Sequence, residues 1–288
     1  MINDKKHEMT NNIVLDSKQL PIQIYGIDFS GAALAGNAIW ITEATADGET
    51  LTIKKCKNAA EFLDCSSKRE LVLPALCRFI ADQKNAVLGL DVAFSIPLGM
   101  FPESTWQQFA ANFPEKFASA DQFRNHCRDV FPGSEVKRLT DLETQTPFSP
   151  YNLRMYRQTY YGIRDVLSPL VKNNAARVVP MQQPEGNLPV LLECCPASLL
   201  KKMKLYAPYK TKADQENAHR RLIFETIVGQ NGIKMGDPNI RERVLADAKG
   251  DALDSLLCAI IVVKQLCNPK GLLPEDIEKY KLEGMVYS

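Results

Sequence analysis

Apolar and polar residues alternate in three short segments near the start of the chain, a pattern typical of β-strands. The segments are IQIYGID from Ile22, AIWITEA from Ala38, and LTIKKCK after the turn Asp47-Gly48. The connections between them are short, which favours antiparallel pairing of neighbouring strands. We therefore predict a three-stranded antiparallel meander.

The segment Arg69 to Asp82 follows, with apolar residues at helical spacing. The run AVLGLD comes next, and it is short and almost wholly apolar. Such a run is expected of a parallel strand that is buried on both faces. The two patterns predict a helix and then a fourth strand.

Residues 98–187 have a different character, because they are rich in aromatic residues, interrupted by prolines and mostly helical in pattern. Asn152–Leu170 gives the clearest helix within them. We interpret this stretch as a helical insert of about 90 residues that lies over the sheet. Apolar strand character returns at Leu188–Pro196, and helices are predicted after it over about Ala197–Leu205, Ala213–Gly229 and Asp251–Leu266.

This order of elements predicts an α/β fold. We expect a mixed five-stranded sheet, made of the antiparallel meander plus parallel strands, flanked by helices and carrying the helical insert. Residues 20–288 then form one domain. Residues 1–19 lack any periodicity, so we expect a disordered polar tail.

Composition and charge restrict the function classes. The chain has 288 residues, 45% of them hydrophobic, which is enough to bury a sizeable core. Lys and Arg total 35 against 34 Asp and Glu, a net charge of +1. This balance excludes a protein that coats nucleic acid through uniform positive charge, so any surface that binds phosphate must be local.

The cysteines and the N-terminal segment bear on location. None of the eight cysteines forms a CxxC pair, and several lie within apolar runs, as free thiols in a reducing compartment do. The first twenty residues carry charges where a signal peptide is apolar, and the longest apolar run, Leu256–Val263, is too short to span a bilayer. We expect a cytoplasmic protein without membrane contact.

Three acidic residues occupy apolar strands. Asp28 and Asp91 each end a strand after the pattern apolar-Gly-apolar, and Glu193 lies within VLLECC. A buried carboxylate is costly unless it is paired, protonated or bound to a metal ion. Each residue taken alone could also be a turn residue at a strand end or a helix-capping partner.

The last predicted helix is apolar almost all round, which is typical of a buried helix. Its polar stripe consists of Asp251, Asp254, Ser255 and Cys258, which helical spacing places on one face. Asp251 has an alternative role in the first helical turn, where an acidic side chain interacts favourably with the helix dipole. The same alternative is open for Asp254, but a carboxylate on a buried helix needs a partner.

Several carboxylates gathered from strands and a helix form a site of hard oxygen ligands, which suits Mg²⁺ or Mn²⁺. Two such ions close together can activate a water and stabilise the leaving oxygen in phosphodiester hydrolysis. The pattern therefore predicts a metal-dependent nuclease.

These segments resemble the ribonuclease H-like superfamily, and most closely the family described as domain of unknown function 429, predicted nucleases. The matching pieces are YGIDFSG at 25–31, LGLDVAFSIP at 88–97, RQTYYGIRDVLSPL at 157–170, LLECCPASLL at 191–200 and KGDALDSLLCAII at 249–261. The resemblance implies that Asp28 bridges the metal ions and that Asp91 is a second ligand. It implies that Glu193 and Asp254 complete the catalytic set, with Asp251 as an auxiliary ligand. One departure is Ala93, where the family often has proline.

Phosphate-binding residues are expected in the segment 201–221, which has seven Lys and Arg residues and interleaved tyrosines. We select Lys210, Lys212 and Arg220 there, together with Arg157 of the insert, as candidates that contact a DNA or RNA substrate. A solvated helix face is the alternative for 201–221, and core packing is the alternative for the aromatic residues of the insert.

Two other functions are compatible with the predicted fold. A sugar-kinase or actin-like phosphotransferase also begins with a Gly-Ile-Asp strand, but its second phosphate motif has a glycine that DVAFSIP lacks. A binding module that keeps the fold without turnover is the other alternative.

Overall fold

The computed structural model describes residues 22–229, 232–268 and 271–288. The predicted polar tail, residues 1–19, lies outside the described residues. No helix in the described ranges is both long enough and apolar enough to cross a membrane.

A mixed sheet of eight strands forms the centre of the molecule. The strands are β1 (Ile22–Asp28), β2 (Trp40–Asp47), β3 (Thr50–Asn58), β4 (Ala86–Asp91), β5 (Arg177–Val178), β6 (Val190–Cys194), β7 (Ile233–Met235) and β8 (Val286–Tyr287). Their order is β5-β6-β4-β1-β2-β3-β7, and β8 pairs with β6. The predicted meander β1-β2-β3 is antiparallel, and β4 and β6 continue the sheet in parallel. The mixed α/β architecture is thus confirmed.

The predicted number of five strands is wrong. The three additional strands, β5, β7 and β8, have only two or three residues each. Such segments are too short to show an alternating pattern, and they become strands because a neighbouring strand offers backbone partners. Two of them pair with β6, so they extend the sheet on the side away from the meander.

Eleven α-helical segments lie in the described residues. They are α1 (Ala59–Phe62), α2 (Arg69–Asp82), α3 (Trp106–Lys116), α4 (Ala120–Val130), α5 (Leu139–Glu143), α6 (Tyr156–Gly162), α7 (Ser168–Lys172), α8 (Pro196–Lys202), α9 (Asp214–Val228), α10 (Asn239–Ala246) and α11 (Asp251–Leu266). The predicted bounds of α2 and α11 agree with the structure. Those of α8 and α9 differ by one to three residues at their ends.

The predicted insert is helical over α3 to α7, but two details of the prediction need correction. The helix predicted over Asn152–Leu170 starts at Tyr156 and reaches Lys172, with a π-helical turn at Ile163–Leu167 between α6 and α7. The end of the stretch is not helical, since it supplies β5 at the edge of the sheet.

Two apolar cores cover the two faces of the sheet. Alternate residues of β1 face opposite sides, as side chains of a strand do. Tyr25 and Ile27 pack into one core with α2 and the helical insert. Ile24 packs into the other core with α8, α9, α10 and α11. Gly26 and Asp28 follow Ile24 by two and four residues, so they lie on the same face of β1, which packs against α11.

Candidate metal centre

Helix α11 packs against the backbones of β1 and β4 at two glycines. Gly26 and Gly89 are register partners on these strands. A Cβ atom at Gly26 would lie 2.0 Å from the carbonyl oxygen of Ser255, and one at Gly89 would lie 3.0 Å from that of Cys258. Both positions therefore require glycine, because a side chain would force the helix away from the sheet.

This close contact brings three carboxylates together. Asp28 and Asp91 follow the two glycines by two residues, so they point to the same face of the sheet and are themselves register partners. Asp254 lies in the first turn of α11, directly above them. One carboxylate oxygen from each residue lies within 4.8 Å of the other two. The result is a buried cluster of carboxylates that could hold a metal ion.

Two neighbouring residues hold Asp254. The Tyr209 hydroxyl donates a hydrogen bond of 2.6 Å to Oδ1 of Asp254, and Nζ of Lys210 lies 2.5 Å from Oδ2. Both residues pack against Gly250, which has a left-handed φ of 77°. A Cβ at Gly250 would lie 2.9 Å from the Tyr209 ring and 3.1 Å from Cγ of Lys210, so glycine is needed there for the turn and for the space.

The charges at the cluster are far from balanced. Burial, reinforced by the neighbouring carboxylates, raises the pKa of Asp91 to about 7 and that of Asp28 well above its ordinary value. The same causes raise the pKa of Asp251, at the edge of the cluster, to about 6. Burial opposes the charge of Lys210, but Asp254 and Asp28 outweigh it and raise the pKa of the ammonium group. Four acidic groups thus face one lysine.

The cluster lies at the bottom of a cleft of about 670 Å³. One part of the lining comes from the insert, over residues 146–155 and at Gln158, and another from residues 206–210 before α9. Gln158 donates a 2.5 Å hydrogen bond from Nε2 to the backbone oxygen of Asp91. The insert thereby fixes the chain at the end of β4 and forms part of the cleft.

Glu193 lines the same cleft but lies outside the group of three carboxylates, so its role as a metal ligand and catalytic residue stays a prediction. Both of its carboxylate oxygens accept hydrogen bonds from the Arg138 guanidinium, at 2.5 and 2.8 Å. The backbone N–H of Phe94 donates a further bond of 2.8 Å. These bonds satisfy the carboxylate oxygens of Glu193 without a metal ion, while burial raises its pKa against the effect of Arg138.

Arg138 was not a candidate in the sequence, although it is among the largest fully buried side chains. It also donates to both carboxylate oxygens of Asp141, at 2.9 Å each, and to the backbone oxygen of Glu283. These contacts tie the insert to β6 and to the C-terminal segment. An isolated arginine in a sequence carries no signal for a partner 55 residues away.

The candidate substrate-binding residues have different places. Lys210 lines the cleft, whereas Lys212 and Arg157 are exposed outside its lining. Arg220 is 3% exposed, and its guanidinium donates to the backbone oxygens of Tyr209 and Thr211. Arg220 is absent from the cleft lining, and its donors brace the segment that carries Lys210, so its contact with substrate stays a prediction without support from this geometry.

Comparisons of the chain with family models, with curated proteins and with solved structures give no match. The resemblance to predicted ribonuclease H-like nucleases therefore stays a prediction that rests on the sequence motifs.

Proposed function

We propose that the protein is a metal-dependent nuclease with a ribonuclease H-like fold, and that Asp28, Asp91 and Asp254 are its metal ligands. One observation carries the proposal: three carboxylates from two strands and a helix converge within 4.8 Å at the bottom of an open cleft. Elsewhere in proteins a buried carboxylate is paired or protonated, and three together favour a bound cation.

The donor set fits Mg²⁺ or Mn²⁺. All three donors are carboxylate oxygens, which these hard cations prefer over imidazole or thiolate. Lys210 contributes one positive charge against four acidic groups, so a divalent cation would offset most of the negative charge that remains. Asp251 lines the same cleft and would contribute to a second ion. A bound cation supplies Lewis-acid stabilisation of the charge on phosphoryl oxygens.

The residues of the chain itself prepare the site for a phosphodiester. Tyr209 and Lys210 orient Asp254 through the two contacts described above. The ammonium group of Lys210 is also the cation at the cluster that faces the cleft, where it would attract a phosphate. Arg220 and Gln158 keep the surrounding backbone in place. Together they give a preformed site for an anionic substrate beside the carboxylates.

The test is cleavage of labelled DNA and RNA, single-stranded and duplex, with Mg²⁺, with Mn²⁺ and with a chelator. We expect cleavage that requires the metal ion and that falls by about 100-fold or more in Asp28→Asn, because a ligand is lost. Asp129→Asn is the matched control, since Asp129 is exposed on α4 outside the cleft. Equal cleavage by the wild type and Asp28→Asn would contradict the proposal. ATP-dependent transfer by the wild type instead would favour the phosphotransferase.

A further inference from the structure

Two aromatic rings line the cleft above the carboxylates, and each lies beside a cation. The Tyr206 ring has Nζ of Lys201 4.9 Å from its centre, and the Phe148 ring has the Arg154 guanidinium 5.3 Å from its centre. Both rings belong to the cleft lining. Alternation of ring and cation is the arrangement that stacks nucleobases and holds the phosphates between them.

Tyr206 and Arg154 are available to a ligand. Tyr206 is 50% exposed and lines the cleft, so its ring is accessible from the cleft. Arg154 is also exposed, and within the described ranges no carboxylate forms an ion pair with it. Lys201 donates a 2.6 Å hydrogen bond from Nζ to the backbone oxygen of Gln145, so it links the segment that carries Tyr206 to the segment that carries Phe148.

The depth of the carboxylates restricts the shape of the substrate. Asp28 and Asp254 are 7% and 2% exposed, and the cleft above them has the volume of a small-ligand site. The proposed reaction needs a phosphate at these buried carboxylates, and a duplex keeps its bases stacked inside, away from the rings of the lining. A single strand can enter, and its unstacked bases are free to stack on protein rings.

We infer that the cleft takes an unpaired nucleic-acid strand, with bases stacked on Tyr206 and Phe148 and phosphates beside Lys201 and Arg154. The inference rests on the proposed nuclease function and adds the substrate class. The rings have no means of distinguishing base identity by stacking alone, so binding is expected to tolerate different sequences.

Fluorescence anisotropy with labelled 12-nucleotide DNA and RNA strands and with the matching duplexes tests the inference. Binding is measured with Mg²⁺ in an Asp28→Asn background, so that it does not depend on turnover. We expect the strands to bind more tightly than the duplexes. Adding Tyr206→Ala should weaken strand binding about tenfold, whereas Tyr206→Phe, which keeps the ring, should not. Leu222→Ala, which shortens an equally exposed side chain on α9, is the control.

A second measurement examines the cations. Arg154→Gln should reduce the slope of log affinity against log salt concentration by about 0.7, the value for one phosphate contact on a single strand. Equal binding of strand and duplex would overturn the inference, as would an unchanged affinity in Tyr206→Ala with a normal thermal melt. Neither result bears on the nuclease proposal, which the cleavage assay tests separately. That proposal fails if cleavage does not require a metal ion, or if the wild type and Asp28→Asn cleave equally.

Discussion

The backbone of β1 at Gly26 lies against the backbone of α11 at Ser255, so closely that a Cβ atom on the glycine would be 2.0 Å from the Ser255 carbonyl oxygen. This contact determines the distance between Asp28, two residues along the strand, and Asp254, one residue back on the helix. The geometry of the carboxylate cluster therefore depends on a residue that has no side chain.

Gly26→Ala tests this dependence. We expect a loss of several kcal/mol of stability, because the backbone of a buried helix must move, and a large loss of Mn²⁺ affinity. Thermal unfolding and titration calorimetry measure the two effects. Gly48→Asn is the control: Gly48 has open space around it, and Asn tolerates its positive φ. Retention of full metal affinity in Gly26→Ala would show that the close contact does not assemble the site.

The pattern apolar-Gly-apolar-Asp was enough to locate Asp28 and Asp91, because a strand has a fixed two-residue period. The helical stripe likewise located Asp254. Their mutual distance was not available from the sequence, since it depends on the parallel register of β1 and β4 and on the close packing of α11. Local periodicity thus predicted the elements and the candidate ligands, and tertiary packing determined which acidic side chains lie together.

Glu193 shows the limit of the same reasoning. An acid in an apolar strand indicates that a partner exists but not which partner, and here the partner is Arg138 from the insert. The insert residues could not be paired with sheet residues from the sequence, because contacts across such distances leave no periodic pattern. The short strands β5, β7 and β8 were not predicted for a related reason, because they form by pairing with a neighbouring strand and are too short to show a pattern of their own.

Glu193→Gln distinguishes an ion-pair role from a ligand role. We expect a loss of about 3 kcal/mol of stability, since Arg138 keeps its buried charge with one partner fewer. Metal affinity should stay close to the wild-type value below the unfolding temperature. A urea unfolding curve measures the loss of stability, and a separate calorimetric titration of the folded variant with Mn²⁺ measures the metal affinity. A stable Glu193→Gln variant that has lost its metal affinity would show that Glu193 is a metal ligand.

Stability should depend on pH through Asp91 in the absence of metal ions. Its pKa is about 7 in the folded state and about 3.9 in an unfolded chain, so the folded state holds more protons between these values. Stability contributed by this group therefore falls as pH rises from about 4 to 7. Asp91→Asn should gain stability relative to the wild type over this range and show a constant difference above it.

Thermal unfolding at pH 4, 5.5, 7 and 8 in a chelator measures this difference. Asp129→Asn, which removes an exposed carboxylate outside the cleft, is the control. Adding Mg²⁺ at pH 8 should stabilise the wild type more than Asp91→Asn, because the cation compensates the ionised cluster. A pH-independent difference between the wild type and Asp91→Asn would mean that Asp91 is not desolvated as the structure shows.

Lys210 should oppose metal binding while supporting the metal-free fold. Its Nζ lies 2.5 Å from Oδ2 of Asp254, where a divalent cation would meet a like charge. We expect Lys210→Gln to bind Mn²⁺ about five to ten times more tightly and to be less stable without it. Lys212→Gln, two residues further along the chain and outside the cleft lining, is the matched control. Weaker Mn²⁺ binding in Lys210→Gln would contradict this role.

The central claim is that Asp28, Asp91 and Asp254 bind a divalent cation together. The most direct measurement is anomalous diffraction from crystals of the full chain soaked in Mn²⁺. We predict an anomalous peak in contact with oxygens of all three carboxylates, and no peak there in crystals of Asp28→Asn. Well-ordered carboxylates without a peak between them, at a Mn²⁺ concentration that occupies other sites, would contradict the account.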